Sequence, residues 1–241
     1  MAKIHVYLQG KGGVGKSFAA AMYAQYKISK NQSPLCFDAD PTNATLYSYK
    51  ALKVTRVNIM EGGEINSRRF DNLMEQVATT KEDVIIDNGA SSFVPLSHYL
   101  ISNQVPTLLK EMGHELFIHT LITGGQAFLD TVNGFAQLTT QMTKEANFVV
   151  WLNPYCGPIN YEGKTFEELK AYKDNELRVS AIIQIPPLKA ETNGRDLNEM
   201  LQERLTFDEA LALPSLPIMT RQRLKIIRDQ IFNKLDKALI L

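Results

Sequence analysis

Residues 10–17, GKGGVGKS, are the segment whose residue types and spacing most clearly indicate chemistry. The segment matches the phosphate-binding loop (P-loop) pattern G-x-x-x-x-G-K-[ST] between a predicted strand and a predicted helix. Its glycines let backbone N–H groups curl around phosphate oxygens, and the dipole of the following helix adds to that attraction. These glycines are Gly10, Gly12, Gly13 and Gly15. We expect Lys16 to reach the β- and γ-phosphates of a nucleotide and Ser17 to bind Mg²⁺, the alternative being a turn that binds nothing.

Two acidic segments follow further predicted strands. Residues 37–45, FDADPTNAT, place Asp38 and Asp40 at the end of the second strand, where the alternative is an Asp-Pro turn whose carboxylate only caps a helix. Residues 82–92, EDVIIDNGASS, contain a β-branched run ending in Asp87, which is typical of a strand whose acid meets Mg²⁺. A turn residue at a strand end is the alternative for Asp87. Gly89 is expected to present its amide to the γ-phosphate.

The composition favours one globular domain of 241 residues, with 44% hydrophobic and 22% charged residues. The 26 basic and 26 acidic residues give a formal net charge of zero, which offers no argument for a nucleic-acid or acidic-membrane partner. Cys36 and Cys156 form no C-x-x-C pair, which favours reduced thiols. The sequence has no signal-peptide pattern and no apolar run of membrane length, so we expect a cytoplasmic protein that a partner could recruit to a membrane.

Short apolar runs alternate with helical patterns along the chain. The predicted strands are 4–8, 35–37, 84–86, 116–121, 148–152 and 179–185, and the predicted helices are 17–29, 69–79, 126–142 and 222–240. Strands that are apolar on both faces and separated by helices indicate a mostly parallel, twisted sheet with helices on both faces. Ligands of such sheets bind at the carboxyl ends of the strands, where the three segments lie. The sequence therefore predicts an α/β fold of the P-loop nucleoside triphosphatase type.

The form KGGVGKS resembles the deviant Walker A loop of the ParA/MinD family of partition and positioning ATPases, and FDADPTNAT is similar to the D-x-D-P switch I of that family. The resemblance implies that Lys11 crosses a homodimer interface to contact the phosphates bound by the other subunit, as an arginine finger does elsewhere. It implies that Asp38 belongs to the Mg²⁺ shell and that Asp40 orients or deprotonates the attacking water. Asn43 would order the loop near the γ-phosphate. A solvated surface lysine is the alternative for Lys11.

Switch II departs from the ParA/MinD pattern. Members of that family usually have prolines shortly after the aspartate of this strand, whereas this chain continues Asn88-Gly89-Ala90-Ser91-Ser92. Asp87 can still bind the metal without these prolines. The resemblance does not, however, imply how switch II of this chain would signal to a partner.

Two later strand ends are candidates for binding the base. FVVWLN ends at Asn153, whose amide reads adenine by the same resemblance, and SAIIQIPP ends at Pro186 and Pro187, whose main chain would wrap the ring. Val14 and Phe18 complete the predicted nucleotide-binding residues. Ordinary loop starts are the alternative for both strand ends. The choice of ATP over GTP depends on the resemblance and on the absence of an N-K-x-D guanine motif.

The stretch 221–239, RQRLKIIRDQIFNKLDKAL, has the pattern of a basic amphipathic helix. Such a helix can lie on a membrane surface or contact DNA. More often its apolar face packs on the domain, and Asp229 and Asp236 interrupt the basic face here. We therefore expect a single domain over residues 1–241 with the helix 221–240 packed on it.

Segments along nearly the whole chain resemble a family of conjugative-transfer proteins of broad-host-range plasmids. They include DVIIDNGASSFVPLSHYLISNQVP, VVWLNPY and LQERLTFDEALA. The resemblance implies a bacterial, plasmid-encoded protein with a protein partner in the DNA-transfer machinery. Three functions stay open, namely a dimeric switch that hydrolyses ATP, a P-loop kinase of a small molecule, and a nucleotide-binding scaffold with negligible turnover. Lys11 and the Asp38/Asp40 pair favour the switch.

Overall fold

A seven-stranded sheet forms the centre of the fold in the computed structural model, which describes residues 1–238. The strand order is β11-β8-β7-β1-β6-β2-β3, and every pair of neighbours is parallel. The strands are β1 (Lys3–Tyr7), β2 (Leu35–Asp38), β3 (Thr55–Arg56), β6 (Val84–Asp87), β7 (Glu115–Thr123), β8 (Ala146–Asn153) and β11 (Val179–Gln184). Two small antiparallel hairpins lie outside the sheet, β4 (Met60–Glu61) with β5 (Glu64–Ile65) and β9 (Asn160–Tyr161) with β10 (Lys164–Thr165).

Helices connect the strands and cover both faces of the sheet. They are α1 (Lys16–Ser29), α2 (Arg69–Thr79), α3 (Phe93–Ser102), α4 (Val105–Glu111), α5 (Phe128–Gln141), α6 (Lys170–Lys173), α7 (Asn193–Gln202), α8 (Phe207–Ala212) and α9 (Ile218–Lys237). Short 3₁₀ turns occupy Leu46–Ser48, Lys50–Leu52, Gly125–Ala127, Pro154–Cys156, Phe166–Glu168 and Glu176–Arg178. The predicted parallel α/β sheet with helices on both faces is confirmed.

Alternation of side chains along the strands produces two cores, one on each face of the sheet. One core packs Tyr7, Leu121 and Trp151 against helices α1, α7, α8 and α9. The other packs aliphatic side chains such as Ile4 and Ile118 against helices α2, α3 and α4, and α5 covers the β7–β8 end of the same face. Because both faces are buried, the strands lack the polar alternation of a half-exposed sheet.

Helix α1 is buried along most of its length. Ala20 and Ala24 are fully buried within it, beside the larger side chains of Tyr23 and Tyr26. Tyr26, one turn from the end of α1, donates a hydrogen bond to Asp236 of α9 at 2.8 Å.

A buried polar chain crosses the sheet beneath α1. The Trp151 indole N–H donates to His119 Nδ1 at 2.9 Å, and His119 Nε2 lies 2.9 Å from His5 Nδ1. His5 Nε2 lies 3.1 Å from the Tyr23 hydroxyl. Because the indole can only donate, His119 carries its proton on Nε2 and His5 accepts it on Nδ1. Burial lowers the pKa of His119 to about 3, so both imidazoles are neutral members of the core.

Helix α9 buries one face of its length against the domain. The buried side chains are Leu224, Ile227, Ile231 and Leu235. The helix begins at Ile218, before the predicted start, and its described part ends at Lys237; the predicted helical residues 239 and 240 lie outside the described residues. Among residues 1–238, no helix is both long and apolar enough to cross a membrane.

Candidate nucleotide-binding site

The P-loop joins the end of β1 to the start of α1 at the carboxyl edge of the sheet. Gly13 and Gly15 have φ of 74° and 101°, a backbone conformation that only glycine adopts without strain. Gly15 is the N-cap of α1 and supplies no side-chain cap. The first N–H groups of α1 therefore have no side-chain acceptor from the cap, which suits an anion at this helix end.

Lys16 is buried at the start of α1, with 7% of its surface exposed. Its Nζ donates to the Lys11 carbonyl oxygen at 3.2 Å, so the ammonium reaches back across the loop. Burial lowers the pKa of Lys16, whereas the charges of Asp87 and Asp40 raise it. The loop thus holds a poorly hydrated cation whose attraction for an anion is little screened by water.

Asp87 ends β6 and is fully buried. Its Oδ1 accepts the N–H of Asn88 at 3.0 Å, and its Oδ2 has no hydrogen-bond partner among the described residues. Burial raises the pKa of Asp87 to about 7, while the Ser17 hydroxyl and Lys16 act in the opposite direction. A buried carboxylate oxygen without a partner, close to a serine hydroxyl, is a donor set that fits Mg²⁺.

Asp38 ends β2 and lies opposite Asp87 in the strand register. Its Oδ1 accepts the N–H of Asp40 at 3.0 Å, and its Oδ2 accepts the N–H of Tyr47 at 2.9 Å. Burial raises the pKa of Asp38, and these two N–H groups lower it. Because each oxygen already accepts a backbone N–H, contact with a metal through water fits this geometry better than direct coordination.

Asp40 of switch I lies in contact with Gly89 of switch II. Its Oδ1 accepts the N–H groups of Thr42 and Asn43 at 2.9 and 3.0 Å, which caps the loop as the alternative interpretation expected. A Cβ added to Gly89 would lie 2.5 Å from the Asp40 carboxyl carbon, so only glycine allows this approach. Both capping bonds use Oδ1, and no hydrogen bond to Asp40 Oδ2 is found among the described residues.

Switch II is a hydrogen-bonded turn where members of the ParA/MinD family usually have prolines. Asn88 donates through Nδ2 to the Gly89 carbonyl at 3.0 Å, and the Ser92 hydroxyl donates to Asn88 Oδ1 at 2.6 Å. Phe93 at the start of α3 lies against the P-loop, because a Cβ on Gly10 would come within 3.0 Å of its ring. Switch II and the P-loop are therefore in direct contact.

Lys11 is the exposed lysine of the P-loop. Its Nζ forms an ion pair with Asp130 Oδ2 of α5 at 2.8 Å, and the two side chains are 47% and 58% exposed. An ion pair this exposed is worth at most about 1 kcal/mol, so Lys11 can leave it at little cost. Asp130 carries no distinctive signal in the sequence, because an acid in the first turn of a helix is an ordinary feature.

Gln9 was also missed, and it holds the start of the P-loop. Its buried amide donates from Nε2 to Thr120 Oγ1, to the Leu121 carbonyl and to the Thr131 carbonyl, at 3.3, 3.1 and 3.1 Å. A Cβ added to Gly134 of α5 would lie 2.5 Å from Gln9 Oε1, so the glycine makes room for the amide. A polar residue directly before a glycine-rich loop was the available signal.

The strand ends predicted to bind the base lie along the same edge of the sheet. Asn153 ends β8, next to β7, and its Nδ2 donates to the Val14 carbonyl of the P-loop at 2.9 Å. Pro186 and Pro187 follow the edge strand β11 and line an open cavity of about 330 Å³. The remaining lining residues are Gln184, Gln230, Asn233 and Lys234. We call the group Lys16, Ser17, Asp38, Asp40 and Asp87 the phosphate end, and Asn153, Pro186 and Pro187 the base end.

The other predicted contacts lie where the P-loop places them. Val14 is 2% exposed and belongs to the core on the α1 face, which ties the loop to the domain. Phe18, in the first turn of α1, is partly buried against the same core.

Comparison with known proteins places the chain in a family. No protein-family model matches it. Two proteins from Escherichia coli, each named protein TraL, are 70% and 67% identical to it over the whole length of both chains. Among solved structures, a plasmid partition protein of Borrelia burgdorferi bound to AMPPNP aligns with a TM-score of 0.54 at 15% identity, covering 99% of this chain and 100% of that one.

A second structural neighbour is the MinC:MinD cell division complex of Aquifex aeolicus, with a TM-score of 0.53 at 12% identity, covering 100% of this chain and 98% of that one. These structures share the fold of the ParA/MinD P-loop nucleoside triphosphatases with this chain. Identity of this extent over the full length, together with the fold and the P-loop, shows that the chain belongs to the TraL family.

Proposed function

We propose that this chain binds ATP with Mg²⁺, hydrolyses it, and acts as a dimeric switch in conjugative transfer of plasmid DNA. The observation that carries the proposal is the phosphate end itself. Lys16, Ser17 and the unpaired Oδ2 of Asp87 converge where the P-loop meets α1. A buried cation beside an unpaired buried carboxylate oxygen is costly in a protein that binds nothing there, and a Mg²⁺-nucleotide satisfies both groups.

Each residue of the phosphate end has a separate task in this proposal. Lys16 and the N–H groups of Gly10, Gly12, Gly13 and Gly15 hold the phosphates. Ser17 and Asp87, with Asp38 through water, hold Mg²⁺, which when bound neutralises charge on the phosphate oxygens. Asp40 orients the attacking water through Oδ2 while Oδ1 keeps the loop capped, and Asn43 belongs to that capped loop. Gly89 offers its amide to the γ-phosphate from the position against Asp40.

The dimer follows from Lys11. In a two-fold dimer joined across the P-loops, two triphosphates approach each other and repel, and a cation brought from the opposite subunit offsets that repulsion. Lys11 is exposed on the loop and held only by its exposed pair with Asp130, so it is available for this role. Adenine would lie at the base end, beside Pro186 and Pro187.

The cellular role is proposed from the family. The named relatives are TraL proteins, and the resemblance to conjugative-transfer proteins implies a partner in the transfer machinery of a plasmid-bearing bacterium. We place the chain in the cytoplasm, with recruitment to a membrane through that partner. The apolar side chains Leu224, Ile227 and Ile231 of α9 are buried in the domain, which argues against α9 as a direct membrane or DNA contact.

A nucleotide-binding scaffold with negligible turnover is the second candidate. The observation that favours it is the engagement of the switch I acids, because Asp38 and Asp40 already accept four backbone N–H groups between them. A scaffold binds ATP without releasing phosphate. A small-molecule kinase instead forms ADP only when an acceptor metabolite is added.

Phosphate release by the purified chain tests the proposal, with Asp40→Asn as the variant. Asparagine keeps the Oδ1 that caps Thr42 and Asn43 and replaces the charged Oδ2 with a neutral NH₂ group, which cannot accept a proton from water. We expect the variant to bind ATP·Mg²⁺ as the wild type does and to hydrolyse it at least ~10²-fold more slowly, since water positioning acts mainly in the transition state. Asp174→Asn, which alters an exposed carboxylate paired with Lys170, is the control and should hydrolyse normally.

If Asp40→Asn hydrolyses ATP at the wild-type rate, Asp40 only caps the switch I loop and has no role in hydrolysis. Binding without phosphate release by the wild type, with and without its partner, would favour the scaffold.

A further inference from the structure

Asn153 uses both ends of its amide, one towards the P-loop and one towards the turn that follows β8. Nδ2 donates to the Val14 carbonyl at 2.9 Å, and Oδ1 accepts the N–H of Tyr155 at 3.1 Å. The residue ends β8 and is 9% exposed. Its own carbonyl accepts the Thr123 hydroxyl at 3.2 Å, which ties it to β7. The side chain is therefore held on a rigid strand end beneath the loop.

The bond to Val14 determines where the next N–H points. In a planar trans peptide the carbonyl and the N–H point in opposite directions. The Val14 carbonyl is directed at Asn153, below the loop, so the N–H of Gly15 is directed away from Asn153. Gly15 is the N-cap of α1 and precedes Lys16, so this N–H belongs to the set that faces a phosphate.

The packing around Gly15 restricts the orientation of this peptide. A Cβ on Gly15 would lie 2.9 Å from Asn153 Nδ2 and 3.5 Å from Leu121 Cδ2. The φ of Gly15 is 101°, and the Val14 side chain is buried in the core on the α1 face. The peptide is thus held by the valine side chain, by the glycine backbone and by the asparagine amide.

We propose that Asn153 is a positioning residue for phosphate binding, which orients the Gly15 N–H. The proposal depends on the proposed nucleotide binding. The bonds to Val14 and Tyr155 use one of the two N–H groups of the amide and one of the two lone pairs of its oxygen, and they fix the amide against the loop whether or not a base is present. A positioning role therefore predicts the same loss of affinity for ligands with and without a base.

A ligand without a base separates the two roles of Asn153. The experiment titrates Asn153→Ala with tripolyphosphate, ATP and GTP, each with Mg²⁺. We expect the affinities for tripolyphosphate and ATP to fall by the same factor, about tenfold for one lost orienting bond. The ratio of ATP to GTP affinity should not change. In ¹⁵N-labelled protein, the Gly15 N–H signal should shift on addition of tripolyphosphate to the wild type and shift less in the variant.

Asn147→Ala is the matched control. Asn147 lies near the start of the same strand, and its Nδ2 donates to the Leu116 carbonyl at 3.5 Å, away from the P-loop. It should bind all three ligands as the wild type does. Where Asn153→Ala does not fold, Asn153→Thr keeps about the same volume, adds no charge and lacks the amide donor to Val14, and the same comparison of ligands applies.

Three results would overturn the inference. Loss of ATP affinity with unchanged tripolyphosphate affinity and a lost preference for ATP over GTP would make Asn153 a base reader. Unchanged affinity for every ligand would leave Asn153 without a role in binding. A wild-type chain that binds neither ATP nor tripolyphosphate would remove the proposed function together with the inference.

Discussion

At the phosphate end, Lys16, Asp38 and Asp87 are buried where three neighbouring strands end, whereas at the base end Pro186 and Pro187 line an open cavity beside the edge strand. The phosphate end holds a buried carboxylate oxygen without a partner, while the amide of Asn153 at the base end is engaged by the chain itself. The chain thus leaves a buried polar atom without a hydrogen bond where phosphate and metal are expected, whereas the polar side chain at the base end already has its hydrogen bonds. If the proposed nucleotide binds here, we expect its affinity to depend more on the phosphate end than on the base end.

The largest test of this difference compares one substitution at each end. Lys16→Ala should abolish measurable binding of ATP·Mg²⁺, a loss of more than ~10²-fold, because it removes the buried cation beside the β- and γ-phosphates. Pro186→Ala should change the affinity by no more than about threefold, since it alters one wall of an open cavity. Calorimetric titration of both folded variants measures this. Equal losses of ATP affinity in the two variants would contradict the difference between the phosphate end and the base end.

The second test concerns catalysis at the phosphate end. A methyl group at position 89 would overlap the Asp40 carboxylate, so Gly89→Ala should displace Asp40. We expect hydrolysis to fall by ~10–10²-fold with ATP affinity reduced much less, because a misplaced catalytic group costs mainly transition-state stabilisation. Phosphate release and calorimetry on the same preparation separate the two quantities. Wild-type turnover would show that contact between the switches has no part in hydrolysis.

The sequence predicted the phosphate end better than the base end for a physical reason. A P-loop is encoded within residues 10–17, because the glycines, the lysine and the serine act through local backbone geometry. Asp38 and Asp87 were found because acids at the ends of apolar strands share one sheet edge. The cavity beside Pro186 also needs Gln230 and Lys234 of α9, and a contact between segments so distant in sequence leaves no local pattern.

Element boundaries show the same division between local and tertiary signals. Helix α2 at Arg69–Thr79 matches the prediction, because its apolar residues keep a helical period. Helix α3 at Phe93–Ser102 was not predicted, since Pro95 in its first turn and the preceding glycine and serines are typical of a loop. The buried chain from Trp151 to Tyr23 was also missed, because it joins three strands and a helix through side chains that a sequence presents separately.

The third test measures stability without nucleotide, with two aspartates as a matched pair. Asp87→Asn should raise the free energy of unfolding at pH 8 by about 1–2 kcal/mol, because it removes a charge that burial disfavours. Asp38→Asn should lower it by about 1–3 kcal/mol, because an amide NH₂ would face a backbone N–H. Urea unfolding of both variants measures this, and stabilisation by both or by neither would contradict the different roles assigned to the two acids.

The pH dependence of the Asp87→Asn gain follows from the sign of the shift. The folded pKa of about 7 lies above the unfolded value of ~3.9, so the folded wild type holds its proton more tightly. The penalty of Asp87 is fully present above pH 7 and disappears as the pH falls towards 4. The advantage of Asp87→Asn should decrease over the same range, and a constant gain would show that burial of charge is not its cause.

The most direct test of the proposed switch is sedimentation velocity with ATP·Mg²⁺. It compares the Asp40→Asn variant with the same variant carrying Lys11→Gln as well. This background binds ATP without consuming it in the proposed mechanism. We predict a dimer with ATP, a monomer with ADP, and a monomer that still binds ATP once Lys11→Gln is added. Lys30→Gln, which removes an equally exposed lysine paired with Asp236, should leave the dimer intact. A chain that stays monomeric with ATP bound, or that dimerises as well without Lys11, would contradict the account.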